Sequence, residues 1–283
     1  MSQPLIELAG EPLAPILHLA PANGFPPETY LPMLRPLRQY RAICLPPRAL
    51  WGDELPPAEF RSWNADADDL LAGLESRDLR DIVAVGHSLG GIVSLLALIK
   101  APTRFRALIM LDPVILPQMM LDMLGGAQAS GAVEKLPLVQ GALRRRAFFE
   151  SREDAFRRFR DKPVFSDWAE ETLRLYIEHG LQPRADGSGF ELRWSTAWEA
   201  HYFSTVHRDI WRDLPKLNGL APTLIVRASY SHTFPVESGV IAKALLPEVD
   251  FHEMKGQGHL FPQAAPLETA RVIRDWLRSR HLS

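Results

Sequence analysis

The sequence predicts an α/β fold in which helices cover both faces of a mostly parallel central sheet. The first half of the chain alternates short apolar runs of strand length with helical patterns. This alternation stops at about residue 114, where helical patterns alone continue, and it returns at Thr223. Because parallel strands need crossover helices between them, the alternation is typical of a parallel sheet. The interruption predicts one sheet, formed by residues 1–113 and 216–283, with a helical insertion at residues 114–215.

Each predicted strand is a short apolar run bounded by residues that break regular structure. The strands lie at residues 16–19, 42–45, 82–85, 107–111, 223–226 and 250–254. Helical spacing of apolar residues marks elements at residues 30–37, 66–74, 89–99 and 236–246, and a terminal helix carries Ala270, Ile273 and Leu277. Within the insertion, helices are predicted at residues 118–124, 152–160, 168–179 and 196–207. Since residues 89–99 are apolar on every face, we expect that helix to lie buried against the sheet.

The charge balance excludes several classes of partner. The chain has 283 residues, with 32 basic and 34 acidic side chains, so it carries no excess of positive charge for a nucleic acid. No apolar run reaches the length of a membrane span, and the first residues show no signal-peptide pattern. We therefore expect no nucleic-acid partner, no membrane association and a cytoplasmic location. Cys44 is the single cysteine, which rules out an intrachain disulfide.

The segment from Asp81 to Gly91 carries the clearest chemical signal in the chain. An apolar strand meets the sequence Gly-His-Ser-Leu-Gly at residues 86–90, and an apolar helix follows at once. So sharp a turn between strand and helix forces its apical serine into a strained backbone conformation, and Gly86 and Gly90 remove the side chains that would collide there. The strain exposes the Ser88 hydroxyl above the sheet edge. We expect Ser88 to be a nucleophile; the alternative is a structural serine in a turn.

This segment resembles the nucleophile elbow of the α/β-hydrolase superfamily, and the resemblance extends over nearly the whole chain. It is similar to the capped, esterase- and lipase-like branch that uses a serine nucleophile. The resemblance implies hydrolysis of esters, thioesters, amides or activated carbon–carbon bonds without a cofactor. It also implies that the insertion at residues 114–215 is an α-helical cap that roofs the active site. Among His179, His201 and His207 of the insertion, no pair has an H-E-x-x-H or similar metal-ligand spacing, so no metal is expected.

A serine hydroxyl needs a base to take its proton, and nine histidines are available. His259 follows the last predicted strand, where the superfamily places its catalytic histidine. We expect its Nε2 within about 3.5 Å of the Ser88 hydroxyl. A structural loop histidine is the alternative. His87 is adjacent to Ser88 but projects in a different direction on so tight a turn, so we expect it to pack or to line the pocket floor.

The third catalytic group should be a carboxylate that holds the imidazole tautomer. The superfamily usually supplies it from the loop after its seventh strand, but residues 227–235 contain no carboxylate here. A subset of the superfamily draws the acid instead from the end of the sixth strand, in the superfamily's count, and Asp112 has that position. We predict Asp112 as the acid. A Ser–His dyad, or a supporting polar residue such as Ser231 or His232, stays open.

The oxyanion of the reaction intermediate needs two N–H donors. The resemblance assigns one to the backbone of Leu89, directly after the nucleophile. The second would come from Phe25, because residues 23–26 read Asn-Gly-Phe-Pro where relatives have His-Gly-x-Pro. Further residues are expected to line the substrate pocket: Asn23, His87, Trp198 and Phe203. The arginines at residues 144–146 are interpreted as a solvated helix face, with a polyanion site as the alternative.

The resulting expectation is a serine hydrolase that cleaves a small, largely apolar carboxylic ester or related acyl compound. Carbon–carbon hydrolysis, lactonase and perhydrolase activities are alternatives on the same fold. A protein of this fold that binds a small molecule and has lost turnover is an alternative of another class, and it is supported by the missing acid at residues 227–235. The sequence leaves the substrate and the oligomeric state open.

Overall fold

The computed structural model describes residues 4–52, 56 and 60–282. Its strands are β1 (Ile6–Ala9), β2 (Ile16–Ala20), β3 (Arg41–Cys44), β4 (Ile82–His87), β5 (Phe105–Leu111), β6 (Phe148–Phe149), β7 (Leu181–Pro183), β8 (Phe190–Leu192), β9 (Thr223–Ala228) and β10 (Asp250–Met254). Seven of them form the central sheet in the order β1-β3-β2-β4-β5-β9-β10. Only β1 runs antiparallel to its neighbour; the other pairs are parallel. The predicted mostly parallel sheet is confirmed.

The helices match the predicted alternation along the chain. They are α1 (Leu31–Leu34), α2 (Trp63–Glu75), α3 (Leu89–Lys100), α4 (Gln118–Ala129), α5 (Pro137–Leu143), α6 (Arg152–Arg160), α7 (Glu170–Gly180), α8 (Thr196–Ser204), α9 (Ile210–Asp213), α10 (Val236–Leu245), α11 (Phe261–Ala264) and α12 (Pro266–Ser279). Short 3₁₀ turns lie at Pro27–Tyr30, Arg48–Leu50, Pro102–Arg104, Ala132–Lys135, Pro163–Phe165 and Leu214–Leu217.

The sheet separates two apolar layers, because successive side chains of a strand point to opposite faces. In β4, Ile82 and Ala84 pack with helices α2 and α3, whereas Val83 and Val85 pack with helices α1 and α12. Helix α3 has ten buried residues in succession, from Leu89 to Leu98, so the expectation of a buried helix is confirmed. Burial of both sheet faces and of α3 fixes the position of the turn between β4 and α3.

The sequence did not reveal strand β1. It is a four-residue edge strand whose side chains are half-buried or exposed, so its apolar pattern is too short to stand out. Counted along this chain, the strand that ends at Leu111 is the fifth, whereas the superfamily count used for the sequence makes it the sixth.

The segment between β5 and β9 contains helices α4 to α9. Helices α4, α6, α7 and α8 correspond to the four predicted ones, whereas the short helices α5 and α9 were not predicted. The segment also contains a small antiparallel sheet in the order β6-β8-β7, which the sequence did not predict because its strands have two or three residues each. The segment has an aromatic core of its own, in which Phe159, Phe165, Trp168 and Tyr176 are in ring contact. Within the described residues, no helix has the length and hydropathy needed to cross a bilayer.

Candidate active site

The turn between β4 and α3 has the geometry that its two glycines permit. Ser88 stands between them with φ +56° and ψ −118°, in the left-handed half of backbone space that non-glycine residues rarely adopt. A Cβ added at Gly86 would lie 2.2 Å from the carbonyl oxygen of Gly90, and one at Gly90 would lie 2.1 Å from the carbonyl oxygen of Ala20. Because only glycine fits at both positions, the local sequence holds Ser88 at the apex.

Strand β10 is followed by a turn that brings His259 to Ser88. The Nε2 atom of His259 lies 3.0 Å from the Ser88 Oγ. The Ser88 residue is 7% exposed and the His259 side chain 24% exposed, so the imidazole is partly accessible to solvent while the serine is nearly buried. The two atoms are within hydrogen-bond distance, which permits proton transfer from the hydroxyl to the imidazole.

Asp112 follows β5 directly and lies on the far side of the same imidazole. Its Oδ2 is 2.7 Å from the Nδ1 of His259, and its Oδ1 accepts a hydrogen bond of 2.7 Å from the backbone N–H of Ala228. The Asp112 residue is 0% exposed and has φ +41°. Because an ionised carboxylate only accepts hydrogen bonds, the proton of the neutral ring stays on Nδ1. The Nε2 atom is then free to accept from Ser88.

The loop after β9, which lacks a carboxylate, contributes hydroxyl groups to this arrangement. Ser231 donates to the Asp112 Oδ2 at 2.6 Å, and the Thr233 hydroxyl lies 3.2 Å from the same oxygen and 3.0 Å from the Nδ1 of His259. The sequence had singled out Ser231 but missed Thr233; the usable signal was a hydroxyl-rich loop where an acid is expected. His232 is exposed and is absent from these hydrogen bonds.

His87 connects two backbone segments of the site. Its Nε2 lies 2.9 Å from the carbonyl oxygen of His259, and its Nδ1 lies 2.7 Å from the hydroxyl of Tyr30. A carbonyl can only accept, so Nε2 carries the proton and Nδ1 accepts from Tyr30, whose oxygen in turn accepts from the N–H of Ala22 at 3.0 Å. Burial lowers the pKa of His87 well below its ordinary value, which keeps the ring neutral. The residue is fully buried, so it packs and presents no surface to the pocket.

The two backbone N–H groups that are expected to bind the oxyanion differ in their hydrogen bonds. Leu89 is the first residue of α3, where backbone N–H groups have no partner within the helix. The N–H of Phe25 instead donates to the carbonyl of Ala22 at 3.2 Å, within a turn that Gly24 permits with φ +82°. This long hydrogen bond would have to be shared with an oxyanion.

The other expected pocket residues occupy different environments. The amide nitrogen of Asn23 donates to the backbone carbonyl of Glu199 at 3.0 Å. The amide oxygen is buried and has no hydrogen-bond partner among the residues described. Trp198 has no exposed surface and packs on the rings of Phe60 and Tyr202, so in this state its ring is part of the core. Phe203 is half-buried and packs in a small cluster between α5 and α8.

A small cavity adjoins the turn on the α2 side. Its wall includes Leu89, Gly90 and two buried polar side chains, His18 and Asp66. Burial raises the pKa of Asp66 to about 8 and lowers that of His18 to about 4, so both side chains are mainly neutral at pH 7. The Nδ1 of His18 and the Oδ2 of Asp66 have no hydrogen-bond partner within the described part of the chain. Among the residues that the structure describes, no group of three His, Cys, Asp or Glu side chains is arranged to hold a metal ion.

Comparison with known proteins supports the architecture. The model of the "Alpha/beta hydrolase family" matches residues 17–272. Lipase LipV of Mycobacterium tuberculosis is 28% identical over 225 residues, which is 77% of each chain. The abhydrolase domain-containing protein AFT2-1 of Alternaria alternata is 37% identical over 100 residues, which is 35% of this chain and 33% of that relative, so the match spans about a third of its length. The solved structure of E-2-(acetamidomethylene)succinate hydrolase superposes with a TM-score of 0.77 at 20% identity, covering 97% of this chain and 94% of that one.

Proposed function

The chain belongs to the alpha/beta hydrolase family, and on that premise we propose that it is a serine hydrolase with an acyl-enzyme intermediate. The proposed substrate is a small, largely apolar carboxylic ester or a related acyl compound. One observation carries the proposal: Ser88, His259 and Asp112 form a continuous hydrogen-bonded series, with distances of 3.0 Å and 2.7 Å. Nucleophile, base and orienting acid in this order are the requirements for acyl transfer by a serine.

In the proposed reaction, the Ser88 oxygen attacks the ester carbonyl while the Nε2 of His259 takes the hydroxyl proton. Asp112 stabilises the imidazolium that forms and does not itself take the proton. The tetrahedral intermediate collapses, the alkoxide leaves with the proton from His259, and the acyl group stays on Ser88. Water then repeats the cycle through the same base and releases the carboxylic acid. Activity should fall in acid, because an imidazolium cannot accept the serine proton.

The N–H groups of Leu89 and Phe25 are the proposed oxyanion donors. The Leu89 group has the better-supported role, because the start of α3 leaves it without a helical partner. For Phe25 the proposal requires that the hydrogen bond to Ala22 be shared or released as negative charge develops on the substrate.

We further propose that residues 114–215 form a cap over Ser88. Side chains of this segment contact the loop that follows β2. In that loop, the ring centre of Phe25 lies 5.9 Å from that of Trp168 and 5.6 Å from that of Tyr176. Ligands of α/β sheets bind at the carboxyl ends of the strands, which is the sheet edge where Ser88, Asp112 and His259 stand. The lipase name of the relative LipV favours ester bonds over carbon–carbon bonds.

A fluorophosphonate probe tests the nucleophile, and a panel of neutral acyl esters of graded chain length tests the reaction. We expect the wild type to be labelled at Ser88 and to hydrolyse short or medium esters, and Ser88→Ala to lose labelling and several orders of magnitude in turnover while staying folded. Ser94→Ala is the matched control, since that serine is buried within α3.

Three outcomes would count against this assignment. A Ser88→Ala variant with undiminished turnover would overturn the mechanism. A wild type that binds esters without cleaving them, and that is not labelled, would favour a small-molecule-binding protein. Cleavage of lactones or of activated carbon–carbon bonds in preference to every ester would retain the nucleophile but replace the substrate class.

A further inference from the structure

Arg145 departs from the expectation of a solvated arginine face at residues 144–146. Its side chain is 16% exposed, and its Nη1 donates to the Glu199 Oε2 at 2.6 Å. Its Nη2 donates to the hydroxyl of Tyr176. Burial by itself lowers the pKa of the guanidinium, but Tyr176 and Glu199 hold that pKa above its ordinary value. Arg145 is thus a permanently charged group enclosed by the proposed cap, with one carboxylate as its counter-ion.

That carboxylate lies against the loop of residues 23–25. The backbone carbonyl of Glu199 accepts a hydrogen bond of 3.0 Å from the Asn23 amide. A Cβ added at Gly24 would lie 3.3 Å from the Glu199 Cδ, 3.5 Å from its Oε1 and 3.7 Å from the Arg145 Nη1. Helix α8 therefore contacts this loop through backbone and side chain, one residue before the proposed donor Phe25.

The charges at this contact act on the proposed chemistry. A carboxylate beside an oxyanion donor opposes the negative charge that develops on the substrate, and the opposition is strong where water is excluded. Glu199 would have this effect if it were unpaired. The guanidinium of Arg145 cancels it at a contact of 2.6 Å, and the ring of Tyr176, which holds Arg145, also packs on Phe25.

We infer that Arg145 acts on the oxyanion loop through Glu199 of helix α8: it cancels the charge of a carboxylate that lies beside Gly24. This inference rests on the proposed function. It assigns to the cap a part in transition-state stabilisation, in addition to shaping the substrate pocket. It also predicts that kcat falls in an Arg145 variant because the Glu199 carboxylate is left unpaired, and not because the Arg145 side chain is missing.

The test compares four variants on a neutral ester that the wild type cleaves. Arg145→Met keeps the length of the side chain but leaves Glu199 unpaired, and we expect kcat to fall by roughly tenfold or more with KM changed by less than about threefold, a smaller loss than removal of a donor itself. Glu199→Gln alone should stay within about threefold of the wild type. The double variant Arg145→Met/Glu199→Gln should recover most of the lost kcat. Arg144→Met, at an exposed neighbour, is the control.

A charge effect and a packing effect give different results in this set. If the double variant is as slow as Arg145→Met, the role of Arg145 is packing and the inference fails. If Arg145→Met does not fold, Arg145→Lys, which keeps the charge, should retain kcat within about threefold; a loss of about tenfold or more would contradict the inference. An increase in KM that is confined to esters bearing a carboxylate would make Arg145 an anchor for the substrate instead.

The same measurements separate this inference from the proposed function. A wild type that is active on esters and labelled at Ser88, together with a fully active Arg145→Met variant, overturns the inference alone. A wild type that cleaves no acyl ester and is not labelled overturns both.

Discussion

Asp112 receives more hydrogen bonds than the orientation of a histidine requires. Its two oxygens accept from the Ala228 N–H, the Ser231 hydroxyl and the His259 Nδ1, with Thr233 as a further donor at 3.2 Å. This set of donors satisfies both oxygens of a fully buried side chain that has no Lys or Arg partner among the described residues. The loop after β9 thus contains no carboxylate of its own, but its residues donate hydrogen bonds to Asp112, the proposed catalytic acid.

Asp112→Asn should therefore lower turnover by up to about four orders of magnitude, because an amide nitrogen facing His259 favours the tautomer with the proton on Nε2. The free energy of unfolding should change by no more than about 1–2 kcal/mol, since the Ser231 hydroxyl and the imidazole can each accept instead of donating. Ester kinetics and urea unfolding measure the two effects. Glu237→Gln, an exposed carboxylate on α10, is the control. Normal turnover in Asp112→Asn would indicate a dyad or another acid.

Tyr30 and His87 link the loop of residues 22–25 to the backbone of His259. Tyr30→Phe removes the donor to His87 and the acceptor for Ala22, both of which are buried, so we expect a loss of about 1–3 kcal/mol in stability and a fall in kcat. Tyr40→Phe is a matched control: its hydroxyl is also buried and donates to the carbonyl of Leu282 near the C-terminus. Ester kinetics and urea unfolding measure the two effects. If kcat is equal in both variants, the hydrogen bonds of Tyr30 to His87 and Ala22 have a structural role only.

At the scale of elements, helix α2 is tied to helix α8 by one buried hydrogen bond. The hydroxyl of Tyr202 donates to the Asp66 Oδ1 at 2.8 Å, and both residues are almost fully buried. The pKa of Asp66 is raised to about 8, so the folded protein keeps the carboxyl proton of Asp66 at pH values where the unfolded chain releases it. The free energy of unfolding therefore depends on pH through Asp66.

The sign of this dependence follows from proton linkage. Between about pH 4 and pH 8 unfolding releases the Asp66 proton, so Asp66 makes the protein less stable as the pH rises through that range. Asp66→Asn keeps the acceptor for Tyr202 but does not titrate, so its stability relative to the wild type should rise by a few kcal/mol from pH 5 to pH 8. Urea unfolding at several pH values measures the trend. Asp68→Asn, at an exposed position of the same helix, should not show it; parallel curves for both variants would refute the argument.

At the scale of the whole molecule, the sequence predicts the sheet, the buried helix α3 and the order of the elements, because the buried strands and α3 are continuous apolar runs bounded by residues that break regular structure. It does not predict β1 or the sheet of β6, β7 and β8, whose strands are short and whose pairing depends on distant residues. The same limit applies at the candidate site. The elbow is local in sequence, so Ser88 can be identified from its neighbours, whereas the bond between Thr233 and Asp112 joins residues 121 positions apart.

Trp198 and Arg145 illustrate the other limit of the sequence. The sequence pattern does not tell whether an aromatic residue on a helix lines a pocket or lies in the core. Nor does it tell whether an arginine in a basic run is exposed or enclosed. Trp198 lies in the core because Phe60 and Tyr202 enclose it, and Arg145 is enclosed because Glu199 and Tyr176 supply partners. Both positions depend on contacts between residues far apart in the sequence, which only the structure provides.

Ser88 and Asp112 share a property that bears on how such a chain changes over generations. Both adopt a positive φ directly after a strand, at +56° and +41°, a conformation that typically costs a non-glycine residue about 1–3 kcal/mol. Glycine would relieve this strain at either position at once. At Asp112, however, glycine would leave the N–H of Ala228 and the hydroxyl of Ser231 without their buried acceptor, whereas at Ser88 it would remove a hydroxyl bonded to the partly exposed His259. Selection for thermal stability alone would thus erode Ser88 before Asp112. A lineage released from selection for its chemistry should drift toward glycine at position 88, while the sheet and its buried helices remain.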